Sequence, residues 1–328
     1  MKICVYGAGA VGGLIAVRLQ RSGHDLSVIA RGAQLQAIAS HGLRLREGTR
    51  TEATVVRAEA DPARLGHQDY VIVAVKAQSL PEVAERIAPL VGAGTSIITA
   101  MNGVPWWFFD RLGFGGGKLR LESLDPGGRL GRAMPTERIV GCVIHLAAST
   151  PEPGLVSHNM GRRLILGEPG GRNGVRTRNI AEALSGAGFE VVVSDFIEKD
   201  FWVKLLGNVS FNPVSALTVS TADSLIENRE VRAYMIGIMR EVLAIGRAVG
   251  VDADIEPEAR LDMARALGRF KTSMLQDLEA GKPLEIDGLL AGTLEIAAKA
   301  AVPAPYTQSL FGLIRLRALS TRQYQPIQ

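Results

Sequence analysis

The sequence predicts an α/β chain in two parts: a parallel-sheet domain over residues 1–195, followed by an all-helical domain over 196–328. Three observations predict this. Short β-branched runs alternate with helical patterns through the first hundred residues. Beyond Asp195, apolar residues recur with helical period almost to the end. The length, 328 residues, exceeds what one core usually organises.

Each element follows from its own pattern. Lys2–Tyr6 reads as a strand, Ala10–Arg21 as a helix and 26–30 as a second strand. Further apolar runs at 70–75 and 95–100 flank a helical pattern at 80–90. Strand–helix–strand alternation implies a parallel sheet with right-handed crossovers. Nearly continuous apolar runs imply strands buried on both faces. Strand-like runs return at 138–146, 163–166 and 190–194, and helical patterns fill 196–217, 222–249, 256–267, 289–301 and 306–319. Between the sheet patterns, residues 104–134 change character. Pro105-Trp106-Trp107-Phe108-Phe109 is followed by a glycine-rich stretch at 113–117 and by Asp125-Pro126-Gly127-Gly128. This predicts a loop or hairpin excursion rather than a core element.

Composition narrows the function classes. Basic residues number 37 and acidic 33, a net charge of +4, with no run of five like charges. Nucleic-acid binding is not suggested, although the slight excess suits an anionic ligand. Only 8 of the 37 basic residues are lysine, so a lysine within an apolar stretch stands out. Cys4 and Cys142 cannot form a disulfide framework, which fits a reducing cytoplasm. No uninterrupted apolar run reaches the roughly 18 residues of a spanning helix. The uncharged stretch 3–17 is broken by Gly7, Gly9, Gly12 and Gly13, so it reads as folded protein rather than a secretory leader. No metal site is expected.

Gly7-Ala8-Gly9-Ala10-Val11-Gly12 matches G-x-G-x-x-G, directly after a strand and opening a helix. In that context, the pattern of a Rossmann-type domain, the glycines allow a tight turn, close backbone approach to a pyrophosphate and close helix packing. At the end of the second strand an acid would hold the ribose hydroxyl of NAD; here stands Arg31. A guanidinium can bind a 2′-phosphate bidentately, which favours NADP(H).

The helical part carries the chemistry. Lys204, Asn208 and Asn212 lie at i, i+4 and i+8, one stripe of a helix, among Trp202, Leu205, Leu206, Val209 and Phe211. Buried polar groups need partners, and an ammonium in a partly dry pocket can give up a proton. Further on, Glu285 and Asp287 stand beside apolar residues at a helix start, where Asp287 suits a capping role and Glu285 a functional acid.

With these residues the chain resembles the ketopantoate reductase (2-dehydropantoate 2-reductase) family over nearly its whole length. The resemblance rests on the Gly7–Gly12 turn, Arg31, Val75-Lys76-Ala77-Gln78, Asn102-Gly103, the Lys204/Asn208/Asn212 ladder and the Ser273 to Glu285 segment. It implies that Lys204 is the general acid protonating the ketone oxygen as hydride arrives, and that Glu285 hydrogen-bonds near that oxygen. Asn208, Asn212 and Ser273 would hold the substrate's hydroxyl and carboxylate. Asn102 would link cofactor to substrate, while Lys76 and Gln78 line the cofactor cleft and Arg31 meets the 2′-phosphate. The implied reaction is NADPH-dependent reduction of ketopantoate to pantoate, in pantothenate biosynthesis and in the cytoplasm. The implied partner is a small keto acid, with no nucleic acid, no membrane and a homodimer as one option for assembly.

The departure is residues 104–134, which resemble an insertion relative to shorter members. A lid, a dimer contact and an altered substrate wall are three open roles for it. Two rival readings accordingly stand beside ketopantoate reduction: reduction of a bulkier 2-keto acid, and a non-catalytic NADP-binding sensor.

Overall fold

The computed structural model describes residues 1–117 and 119–327; Lys118, within the 104–134 stretch, lies outside them. Two compact units emerge. One comprises Met1–Met101 with Arg129–Ile197, the other Asn102–Gly128 with Glu198–Gln328.

The first unit is built on one sheet of β1 (Lys2–Tyr6), β2 (Asp25–Ile29), β3 (Leu43–Glu47), β4 (Arg50–Thr54), β5 (Arg57–Glu59), β6 (Gln68–Val73), β7 (Val91–Ala100), β8 (Ile139–Glu152), β9 (Leu155–Gly167) and β10 (Glu190–Val193). The strand order is β4-β3-β9-β8-β7-β6-β1-β2-β5, with β10 also on β9. Pairings are parallel from β5 through β2, β1, β6 and β7 to β8; β8–β9 and β3–β4 are antiparallel. Four of the five residues of β1 and five of the six of β6 are buried, as strands covered on both faces should be. Helices α1 (Ala10–Arg21), α2 (Gly32–His41), α3 (Leu80–Arg86), α4 (Arg129–Ala133) and α5 (Val175–Gly186) belong to this unit.

The expected α/β architecture is thus present, with a sheet wider than the sequence pattern showed. Strands β3 to β5, and helices α2 and α5, went unread. β3 and β4 read LRLRE and RTEAT, and most of their residues stay accessible at the sheet's end. β4 carries little of the apolar signal that marks a strand, and in β3 that signal is confined to the buried Leu43 and Leu45 alternating with arginines.

The second unit is helical: α6 (Ile197–Thr218), α7 (Ala222–Glu227), α8 (Arg229–Ala248), α9 (Pro257–Arg265), α10 (Ser273–Glu279), a π-helical turn at Asp287–Ala291, α11 (Gly292–Lys299) and α12 (Pro305–Ser320). The single helix expected at 222–249 is broken because the Asn228 side chain accepts the Val231 N–H at 2.9 Å and caps a new helix. No described helix is long and apolar enough to cross a membrane.

The aromatic stretch corrects an expectation. Residues 105–109 are not a peripheral excursion: Trp107 and Phe108 are fully buried, and Trp106 and Phe109 nearly so. The Trp107 ring meets Phe201 edge-on at 5.5 Å, and Phe108 lies 5.6 Å from Trp202, both partners on α6. Flanking proline and glycine gave the segment the look of a loop. It is indeed irregular, yet large aromatic rings gain most from burial. These rings are interior packing of the helical unit.

Trp107→Ala should therefore destabilise the protein by about 3–5 kcal/mol, as for core aromatic truncation, seen as a lower urea midpoint. A change within about 0.5 kcal/mol, typical of surface positions, would refute the core assignment.

Candidate active site

Within the sheet unit, β1, β2 and β6 run parallel in register, so their carboxyl ends share one edge. The residues following those ends collect there: Gly7 to Gly12 after β1, Arg31 after β2, and Lys76 and Gln78 after β6. Gly7 has φ +105°, and a β-carbon on it would lie 2.6 Å from Val75 Cγ1 and 2.8 Å from the Ala74 oxygen. A β-carbon on Gly12 would lie 2.0 Å from the Gly7 oxygen, whereas Gly9 faces open space. Ala8, Ala10 and Val11 complete the turn. Gly9 precedes α1, whose first turn has neither a side-chain cap nor an acid. Its leading N–H groups are thus left for an anion. The Gln34 amide donates to the Ala8 oxygen at 2.5 Å and accepts the Gly154 N–H at 2.9 Å, fixing the turn from α2. This cradle fits a dinucleotide's pyrophosphate.

Arg31 sits at the N-cap of α2, largely exposed, and pairs with Glu82 of α3. Arg86 reaches the same carboxylate at 3.5 Å and donates to the Ala60 oxygen at 2.9 Å. Two guanidinium groups therefore share one acid beside the end of β2. The Lys76 carbonyl accepts the Ser79 N–H at 2.9 Å in the turn that carries Gln78. The buried Gln78 Nε2 and Tyr6 hydroxyl have no hydrogen-bond partner among the described residues. Burial pushes the Tyr6 phenol up, against the pull of Arg86 and Arg31, so it stands as a neutral donor. Unpaired buried donors on this edge suit a polar ligand.

Within the helical unit, α6 presents the polar stripe. Lys204 and Asn208 are half-buried and Asn212 is buried, while Trp202, Leu205, Leu206 and Val209 are packed away. Asn102 lies two residues beyond the end of β7 but belongs to this unit. The turn it forms with Gly103 (φ +82°) presses on the π-helical turn: a β-carbon on Gly103 would be 2.2 Å from the Gly288 oxygen. The Val104 N–H donates to that oxygen at 3.3 Å. Asn102-Gly103 is thereby seated against the segment that carries Glu285. Glu285 is half-buried and lies in irregular chain just ahead of the π-helical turn. Such turns often mark functional sites. Ser273 opens α10 and is exposed, Thr272 being the residue that caps it at 3.2 Å from the Leu275 N–H.

Asp287 does not cap a helix as expected. Its carboxylate accepts the Tyr324 hydroxyl at 3.1 Å and the Ile327 N–H at 3.2 Å, taken by the C-terminal tail. Sequence reading also missed Gln34, Glu82 and Arg86. The i, i+4 spacing of Glu82 and Arg86 was visible, but nothing local connected them to Arg31. Among the described residues no cluster of His, Cys, Asp and Glu could hold a metal.

Two family models match the two parts of the chain separately. Residues 3–106 match the family model "Ketopantoate reductase PanE/ApbA", and 197–318 match "Ketopantoate reductase PanE/ApbA C terminal". A 2-dehydropantoate 2-reductase from Mesorhizobium japonicum is 42% identical over 99% of this chain and 100% of its own length. The solved structure of a 2-dehydropantoate 2-reductase from Geobacter metallireducens superposes with a TM-score of 0.85 at 30% identity, covering 97% of this chain and 100% of that one. A Ralstonia solanacearum protein described as a candidate ketopantoate reductase reaches a TM-score of 0.95 at 48% identity, covering 98% and 99%. With both of its units matched, the chain belongs to the ketopantoate reductase family and is an oxidoreductase.

Proposed function

We propose that the protein reduces a small 2-keto acid at the expense of NADPH, and that ketopantoate, going to pantoate, is its substrate. The observation that carries this reading is the α6 stripe, where a scarce lysine stands half-buried on one face with two asparagines. A cofactor-binding sensor has no need of such a proton donor. The 42% identical relative named 2-dehydropantoate 2-reductase supports the choice of substrate.

In this reading the turn at Gly7, Ala8, Gly9, Ala10, Val11 and Gly12 holds the pyrophosphate, with Lys76 and Gln78 alongside. Arg31 takes the 2′-phosphate. Its present partner, Glu82, is an exposed one, and exposed ion pairs are worth about 0–1 kcal/mol. A phosphate dianion can therefore displace that carboxylate from the guanidinium. When bound, the nicotinamide supplies hydride to the substrate's keto carbon. As negative charge grows on the keto oxygen, the Lys204 ammonium stabilises it and delivers the proton that yields the alcohol. Glu285 hydrogen-bonds near the same oxygen and orients the lysine. Asn102, Asn208, Asn212 and Ser273 hold the substrate's polar groups so that the ketone meets Lys204.

Steady-state assay with ketopantoate and each cofactor tests the whole reading; no turnover with NADPH would overturn it. Lys204→Ala should lower kcat by roughly 100-fold or more, since general acid catalysis contributes about 10²–10⁴. NADPH affinity, measured by titration on the folded variant, should hardly change. Lys204→Arg should not restore turnover, guanidinium being differently shaped and unable to deprotonate. Near-wild-type kcat in Lys204→Ala would sink the mechanism.

Arg31→Ala should raise KM for NADPH about 10-fold or more, the scale of a charge-assisted hydrogen bond, and leave KM for NADH nearly unchanged. An equal rise for both cofactors would remove Arg31 from the 2′-phosphate.

A further inference from the structure

Gly207 stands in the interior of α6, where most residues favour the helix more than glycine does. Its position answers to Arg260 of α9. A β-carbon on Gly207 would lie 2.1 Å from Arg260 Nη2 and 2.8 Å from Cζ. The guanidinium thus rests directly on the helix surface that the glycine leaves bare. Gly207 is three residues after Lys204, and side chains at i and i+3 are neighbours on a helix surface. Arg260 therefore flanks the stripe on the side of its lysine.

Among the described residues Arg260 stands without a counter-charge. No hydrogen bond or ion pair of its guanidinium occurs among the described residues. The neighbouring acids of α9 are engaged elsewhere, Glu258 with Arg240 at 3.5 Å and Asp262 with Arg265 at 2.7 Å. Burial lowers its pKa with no acid nearby to offset it. An unpaired, partly desolvated cation is costly to keep. Here the helix gives up a side chain at residue 207 to make room for it.

We propose that Arg260 is the carboxylate-recognition residue of the substrate site, its guanidinium over Gly207 gripping the acid group of the 2-keto acid. This rests on the keto-acid reading of the α6 stripe and adds to it the group that selects an anion. A planar guanidinium can hold a carboxylate through two parallel hydrogen bonds. The lysine three residues before Gly207 is then left for the keto oxygen.

The test compares wild type with Arg260→Gln on ketopantoate and on its neutral methyl ester. KM for the acid should rise about 10- to 100-fold, as expected for loss of a charged hydrogen-bond pair. KM for NADPH should stay put, wild type and variant should treat the ester alike, and the melting temperature should hold or rise. Gly207→Ala gives a second route: the added β-carbon expels the guanidinium, so KM for the acid should rise while the better helix former keeps the fold. Arg260 is merely a packing residue if Arg260→Gln keeps KM for the acid within two-fold. It is equally a packing residue if acid and ester weaken together as the melting temperature falls. If wild type reduces no 2-keto acid, the functional reading fails separately, and calorimetry with pantoate still tests the arginine. Binding to wild type but not to Arg260→Gln upholds its role; equal binding, or binding to neither, overturns it.

Discussion

Lys204 stands where α6 puts it, and aromatic packing is what holds α6. Trp202, two residues before the lysine, is fully buried, and its indole N–H donates to the Val242 oxygen on α8 at 3.1 Å. Its ring overlies Gly246, where a β-carbon would meet Nε1 at 2.3 Å. From the other side come Phe108 against Trp202 and Trp107 against Phe201. Residues 105–109, α6 and α8 are thereby locked into one arrangement. A displacement of about 1 Å at a reacting group can cost on the order of 10²-fold in rate. The irregular aromatic segment thus holds in place the helix that carries Lys204.

Elsewhere in the helical unit, carboxylates hold what packing does not. Glu295 of α11 accepts the Glu122 and Ser123 N–H groups at 3.0 and 2.8 Å and the Ser123 hydroxyl at 2.6 Å. Glu241 of α8 accepts the N–H groups of Tyr306 and Thr307, both at 2.8 Å, at the start of α12. In the sheet unit Glu168 does the same for the Gly174 N–H and the Thr177 hydroxyl, with Arg176 beside it. Burial works against that carboxylate, yet these donors hold it below its ordinary range. Hydrogen bonds to an ionised acceptor are the stronger kind. These acids are therefore committed to local structure, which separates them from the acids available to chemistry.

What the sequence disclosed follows from how local each signal is. The Gly7–Gly12 turn and the Lys204, Asn208, Asn212 stripe are properties of a dozen contiguous residues, and both stand where periodicity and turn chemistry put them. β4 is legible only through its pairing, because Arg, Thr and Glu give no apolar alternation, and β3 carries only a short one in Leu43 and Leu45. The burial of Trp107 depends on Phe201, and the fate of Asp287 on Tyr324 and Ile327. The partnership of Arg31 with Glu82 spans 51 residues. For Trp107, Asp287 and Arg31 the deciding neighbour is distant in the chain, so no short window of sequence contains the answer.

Arginine makes most of the positive charge, and Arg31 and Arg260 hold it in two different settings. Arg31 rests in an exposed pair with Glu82, with Arg86 close to the same acid. Such a pair costs little to hold and little to exchange, so the cation is neutralised until a stronger anion arrives. Arg260 is withdrawn from water against Gly207 and has no counter-charge among the described residues. Its desolvation is already incurred in the free protein, so a carboxylate gains the full interaction in a drier setting. The first arrangement suits a large, highly charged ligand that can evict an acid. The second suits a small monoanion, which gains most from a guanidinium that is desolvated and unshared before it arrives.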